Sequence, residues 1–128
     1  MNPNLFLRRI LALDSLSCLA MGLGMSLAAA PLAPLLGLDE GLIRFAGLAL
    51  LPIGAFIGWL ASRPAPPRLL VWAVILGNLG WSAESFVVIA QQGPAPLGTA
   101  FVAAQALAVL GLTALEYLGL RRAAVAAA

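Results

Sequence analysis

Four ionisable side chains and two amides lie within otherwise apolar stretches of this chain, and these residues could do chemistry there. They are Asp14, Arg44, Glu84 and Glu116, with the amides of Asn78 and Gln105. A charged side chain at the centre of a bilayer costs roughly 2.5–3.5 kcal/mol, so such residues usually face a partner or a functional site. A carboxylate can bind an arginine or hold a proton, and an amide can both donate and accept hydrogen bonds.

The composition indicates that these side chains belong to a membrane protein. Of the 128 residues, 62% are hydrophobic and 9% are charged. Ordinary soluble domains contain about 25% charged residues. A small soluble domain keeps too much of its surface in water to hide so many apolar side chains. The sequence therefore predicts one all-α domain, residues 1–128, with the lipid bilayer as its partner.

The remaining composition excludes several functions. The net charge of +2 comes from arginines that lie mostly in pairs at segment ends, which argues against a nucleic-acid partner. The chain has no histidine and one cysteine, Cys18, which excludes bis-histidine haem and an internal disulfide. Cys18 shares a helical stripe with Met21 and Met25, but such stripes usually serve packing. We therefore predict no metal, no cofactor and no catalytic residue.

Four apolar segments are long enough to cross a bilayer, which takes about 20 residues. They cover residues 5–30, 41–61, 69–90 and 97–120. Pro31 and Pro34 are expected to end the first segment, because proline disrupts a continuing helix. The later connectors are short and rich in proline, so consecutive helices should be antiparallel neighbours. The expected fold is a four-helix antiparallel transmembrane bundle.

The arginines predict the orientation of this bundle. Three groups, at 8–9, 63–68 and 121–122, fall on one side of the membrane, whereas the connectors on the other side have no basic residue. The positive side is normally cytoplasmic, so both termini should be cytoplasmic. The richness in Ala, Gly, Pro, Leu and Arg, with no Lys, is typical of a GC-rich bacterial genome. We therefore expect a multi-pass protein of the bacterial inner membrane.

Distances along the helices predict an outer polar layer. At about 1.5 Å per residue, Glu84 lies roughly 24 Å above Arg68, and Gln105 lies at a similar height above Arg121. Arg44 lies roughly 28 Å above the second arginine group. A guanidinium binds a carboxylate through a planar fork of donors. We therefore expect an intramembrane cluster in which Arg44 and Glu84 form an ion pair and Gln105 adds hydrogen bonds.

A second polar layer is expected nearer the cytoplasm. Asp14 and Glu116 each lie roughly 8 Å inside the arginines of their helices. If these carboxyl groups met without a cation, one of them could hold a proton. The alternative is that each pairs with a neighbouring arginine, and we favour it because carboxylates near the interface are cheap to solvate. Asn78 shares a helix face with Trp81, and small residues near these groups indicate close packing.

Several short motifs resemble those of a group of small, uncharacterised four-helix bacterial inner-membrane proteins. The motifs are Leu7-Arg-Arg-Ile-Leu-Ala-Leu-Asp14, Leu36-Gly-Leu-Asp39, Ile43-Arg-Phe-Ala-Gly47, Asn78-Leu-Gly-Trp81 and Ala104-Gln-Ala-Leu107. The chain is also similar, more loosely, to DoxX-like proteins in size and topology. This resemblance implies a fold and no particular activity.

The sequence leaves three functions open. The favoured one is a non-enzymatic accessory or interaction subunit, in which the polar layers fix helix register. The second is a proton-coupled transporter or channel that acts as an oligomer. The third is a lipid- or quinone-handling enzyme, which would have to work with the carboxylates and Cys18 alone. A homo-oligomer or a larger membrane complex is compatible with each.

Overall fold

The computed structural model describes residues 2–127, and throughout that range the regular secondary structure is helical. Five helices follow one another: α1 (Leu5–Leu27), α2 (Ala29–Leu36), α3 (Glu40–Ala61), α4 (Arg68–Gln92) and α5 (Pro96–Ala127). The long helices α1, α3, α4 and α5 are apolar enough to cross a membrane, with mean hydropathies of 1.5–1.8. The prediction of an all-α bundle with four membrane spans is confirmed.

The first predicted span is divided into two helices. α1 ends at Leu27, Ala28 leaves the helical conformation, and α2 continues for eight residues. The expectation that Pro31 and Pro34 end the first helix was wrong, since both lie within α2. A proline ring clashes with the carbonyl group four residues earlier in a continuous helix. The break at Ala28 avoids this clash for Pro31, which then occupies the first turn of α2, where proline is tolerated.

The other helix ends have ordinary local causes. Asp39 caps α3, and its Oδ2 accepts a hydrogen bond from the backbone N–H of Leu42 at 3.0 Å. Gly37 and Gly93 end α2 and α4 in the left-handed conformation, with φ of 67° and 54°, which glycine adopts without strain. α5 continues well beyond the predicted end at residue 120 and carries Arg121 and Arg122 within the helix.

The arginine groups meet at one end of the bundle, which we call the arginine end. Arg8 Nε donates to the carbonyl oxygen of Ala61 at 2.9 Å, and Arg68 Nη1 donates to that of Leu120 at 3.4 Å. The guanidinium of Arg122 lies 4.6 Å from the ring centre of Phe6. These contacts join the starts of α1 and α4 to the ends of α3 and α5, as an antiparallel bundle requires.

The helices pack unevenly around the bundle. α1 packs most closely on α3 and also contacts α5, α5 packs on α4, and α3 touches α4 only slightly. Glycines make the α1–α3 contact close: a Cβ atom at Gly47 would lie 2.6 Å from the backbone nitrogen of Ser26. Ser15 Oγ also donates to the carbonyl oxygen of Gly54 at 2.7 Å. The tight side at α1–α3 and the loose side at α3–α4 leave internal space.

Candidate functional site

One buried amide joins two buried carboxyl groups from three different helices. Asn78 Nδ2, on α4, donates to Asp14 Oδ2 on α1 and to Glu116 Oε1 on α5, each at 3.0 Å. Asp14 is 2% exposed and Glu116 is fully buried. We call Asp14, Asn78 and Glu116 the carboxyl cluster. It links α1, α4 and α5 through the side chain of Asn78.

Apolar packing separates the carboxyl cluster from the arginine end. Leu7 and Leu11 precede Asp14 by two turns and one turn of α1, and Val71 and Leu120 occupy the matching positions on α4 and α5. All four are buried in one hydrophobic core. The cluster therefore lies within the span, behind a layer of aliphatic side chains.

The arginine pairing that we favoured for Asp14 and Glu116 is not formed. In the described part of the chain no arginine makes an ion pair with either carboxyl group. Arg8 and Arg68 instead donate to the backbone carbonyl oxygens of Ala61 and Leu120. Ala61 is the last residue of α3, so its carbonyl has no partner within that helix and competes well for the guanidinium group of Arg8. The structure brings the two carboxyl groups together, with Asn78 between them.

The carboxyl cluster has more acceptors than donors. Besides Asn78, the thiol of Cys18 lies 3.6 Å from Asp14 Oδ1, which is a weak contact. Glu116 Oε2 is buried and has no donor among the described residues. Asp14 Oδ2 and Glu116 Oε1 accept from the same nitrogen, Asn78 Nδ2, so the two carboxyl groups lie side by side. The arrangement is suited to holding a proton between the carboxyl groups or to binding a cation.

A cavity of about 470 Å³ adjoins the carboxyl cluster, and all four spanning helices line it. Asp14 and Asn78 line it near the arginine end, while Trp81 and Gln105 line it farther along the bundle. Its walls are otherwise mainly apolar. The lining residues Ile53 on α3 and Gly77 on α4 are exposed, so the cavity opens sideways between α3 and α4.

A second cavity of about 360 Å³ lies farther from the arginine end. Met21, Trp81 and Gln105 line both cavities. Trp81 Nε1 donates to Gln105 Oε1 at 3.0 Å, and Gln105 Nε2 donates to Ser85 Oγ at 2.8 Å. These bonds hold Trp81 and Gln105 in place between the two cavities.

The predicted Arg44–Glu84 ion pair is not formed. Arg44 Nη1 contacts Glu40 Oε2, one turn earlier on α3, at 3.0 Å, and both side chains are about half exposed. Glu84 is exposed and lines the second cavity, whereas Gln105 bonds to Trp81 and Ser85. A partner one turn away on the same helix is always within reach. Glu84, on α4, lies across the loose α3–α4 contact and is not within reach of Arg44 in the same way.

All three members of the carboxyl cluster were predicted as intramembrane polar residues, but Asn78 was not predicted to link the other two. Asn78 shares one face of α4 with Trp81, Ser82 and Ser85, and this shared polar face could have indicated that it turns inward, as the structure shows. Among the described residues no group of three or more histidine, cysteine or acidic residues could hold a metal ion. No protein-family model, curated protein or solved structure matches this chain.

Proposed function

We propose that this protein binds a lipid-soluble small molecule inside its helix bundle, with the carboxyl cluster as the polar contact. One observation carries the proposal: the apolar cavity of about 470 Å³ reaches Asp14 and Asn78. Ligand sites are typically concave, mainly apolar, about 300–1,000 Å³ in volume, and have a few polar groups. An interaction subunit, the function favoured from sequence, needs no such space, because protein interiors normally pack to the density of organic crystals.

The lateral opening supports entry of the ligand from the lipid. α3 and α4 touch only slightly, and both contribute exposed side chains to the cavity wall. A molecule dissolved in the bilayer could pass between these helices without crossing a polar surface. The aliphatic layer beneath the carboxyl cluster closes the site toward the arginine end.

Filling the cavity should abolish binding. Ala108 lines the cavity on α5, and Ala108→Phe would place a ring in the space between Gln105 and Leu112. We expect octanol, a neutral apolar probe, to bind the purified full-length protein, and Ala108→Phe to weaken this binding by at least about tenfold, or 1.4 kcal/mol. Titration calorimetry in non-ionic micelles measures both.

Ala114→Phe is the matched control, because Ala114 is an exposed residue of the same helix and is not part of either cavity wall. It should bind octanol with unchanged affinity. Equal affinities for the unmodified protein and both variants would show that the probe binds elsewhere. No binding to the unmodified protein would contradict the proposed function.

We also propose that the protein lies in the bacterial inner membrane with the arginine end in the cytoplasm. The support is the grouping of three arginine clusters at one end of the bundle, together with the general excess of arginine and lysine on the cytoplasmic side. A topology reporter fused to the C-terminus should be active in the cytoplasm. Activity only in the periplasm would reverse the orientation.

A further inference from the structure

We propose that the ligand is an amphiphilic monocation, an amine with an apolar tail, whose ammonium group binds Asp14 in exchange for a proton held by the carboxyl cluster. This inference rests on the proposed binding function and specifies the class of ligand. It comes from the charge balance of the site and from the shape of the adjoining space.

The charge balance favours a cation. Asp14 and Glu116 are both buried, and within the described residues their donors are an amide N–H group and a thiol. A buried carboxylate without a positive partner is unstable by several kcal/mol. A neutral ligand would bring no charge, and an anion would be repelled. An ammonium group brings one positive charge and three donors, which suits Asp14, a carboxyl group at the cavity wall whose donors are an amide and a weakly bonded thiol.

The side chains around the carboxyl cluster are acidic or neutral, so a positive charge that balances the carboxylates would have to come from the ligand. α1 contributes Asp14 and Cys18, α5 contributes Glu116, and α4 contributes the neutral amide of Asn78. α3 faces the cavity with apolar residues such as Ile57. Asp14 and Asn78 line the cavity, and Glu116 lies behind them. The ammonium group would therefore contact Asp14 directly, while Glu116 acts through its charge.

The cavity beyond Asp14 suits an apolar tail. Its wall continues through Met21, Ile53 and Leu112 toward Trp81 and Gln105. Phe56 and Trp81 add aromatic rings, and aromatic faces attract cations as well as alkyl chains. A ligand with its head at Asp14 and its tail toward Trp81 would match the polarity along the cavity.

The exchange step keeps the charge of the site constant. The O–H bond of a protonated carboxyl group breaks, its proton leaves to water, and the resulting carboxylate binds the ammonium ion: –COOH + R–NH₃⁺ gives –COO⁻···⁺H₃N–R + H⁺. Nothing is oxidised or reduced. Because one proton is released for each amine bound, affinity should rise by up to about tenfold per pH unit while the cluster is protonated.

The test compares three probes that share one tail: octylammonium, octanol and octanoate. Each is titrated calorimetrically into the full-length protein in non-ionic micelles, in buffers of different ionisation enthalpy, so that released protons are counted. We expect octylammonium to bind at least about tenfold more tightly than octanol, with about one proton released, and octanoate to bind more weakly than both.

Two variants test whether Asp14 causes the preference for octylammonium and the release of a proton. Asp14→Asn should remove the preference for octylammonium and the proton release while octanol still binds. Glu84→Gln is the matched control, because this exposed carboxyl group lines only the second cavity, and it should change neither. A preference that persists in Asp14→Asn would overturn the proposal.

The probes also separate this inference from the proposed function. Equal binding of octanol and octylammonium without proton release would overturn the cation proposal and leave the apolar binding site standing. Tighter binding of octanoate would do the same. Failure of all three probes to bind would overturn both proposals. These comparisons need only the unmodified protein, so they hold even if a variant fails to fold.

Discussion

Replacing Asn78 with leucine is expected to lower the free energy of unfolding by roughly 2–4.5 kcal/mol, because a hydrogen bond to a charged carboxylate contributes about 1.5–3 kcal/mol and one to a protonated carboxyl group about 0.5–1.5 kcal/mol. Its Nδ2 atom holds Asp14 and Glu116, each at 3.0 Å. Leucine would leave both carboxyl groups buried without their shared donor. Equilibrium unfolding in mixed micelles measures the loss.

Gln91→Leu is the matched control, because it removes an exposed amide from the same helix. It should leave stability almost unchanged, as substitutions at exposed sites usually do. If Asn78→Leu cost no more than Gln91→Leu, the amide would not be joining α1, α4 and α5.

Replacing the whole carboxyl cluster is expected to restore most of the stability that Asn78→Leu removes. The triple variant Asp14→Leu/Asn78→Leu/Glu116→Met should unfold within about 1 kcal/mol of the unmodified protein, since well-packed apolar residues often replace a buried polar network without loss. The cavity beside Asp14 can accept a leucine side chain at position 14, which is larger than that of aspartate. The recovery is a strong departure from additivity, as expected for residues in direct contact.

The same triple variant distinguishes a functional cluster from a structural one. If the cluster serves ligand binding, the variant should be stable but unable to prefer octylammonium over octanol. A triple variant less stable than Asn78→Leu alone would mean that the polar residues themselves hold the helices in register. That result would favour the accessory subunit first expected from the sequence.

Hydropathy was sufficient to predict the membrane spans, because a bilayer demands long apolar helices whatever their neighbours. The break at Ala28 was harder to predict from the sequence. Pro31 indicated a disruption, but the sequence did not show that the disruption would fall one turn before the proline and that α2 would follow. Helix rise also predicted a common height for Asp14 and Glu116, roughly 8 Å from their arginines. The same measure puts Asn78 about 15 Å from Arg68 along α4, so it did not indicate that Asn78 would meet the two carboxyl groups.

Height alone does not determine which helix faces meet. Glu84 and Arg44 were predicted at similar heights, yet Glu84 lies on the exposed face of α4 with Gly77 and Gly80. The adjacent face, with Asn78, turns inward. The choice between these faces depends on how α4 packs on α5 and how little it touches α3, and such tertiary contacts are not encoded in the apolar periodicity of a helix surrounded by lipid.

The protonation of the carboxyl cluster can be measured most directly by infrared spectroscopy of the protein in lipid bilayers at neutral pH. We predict a C=O stretching band from a protonated carboxyl group that disappears in the double variant Asp14→Asn/Glu116→Gln and persists in Glu84→Gln. The absence of such a band from the unmodified protein, or its survival in the double variant, would contradict a proton held between Asp14 and Glu116.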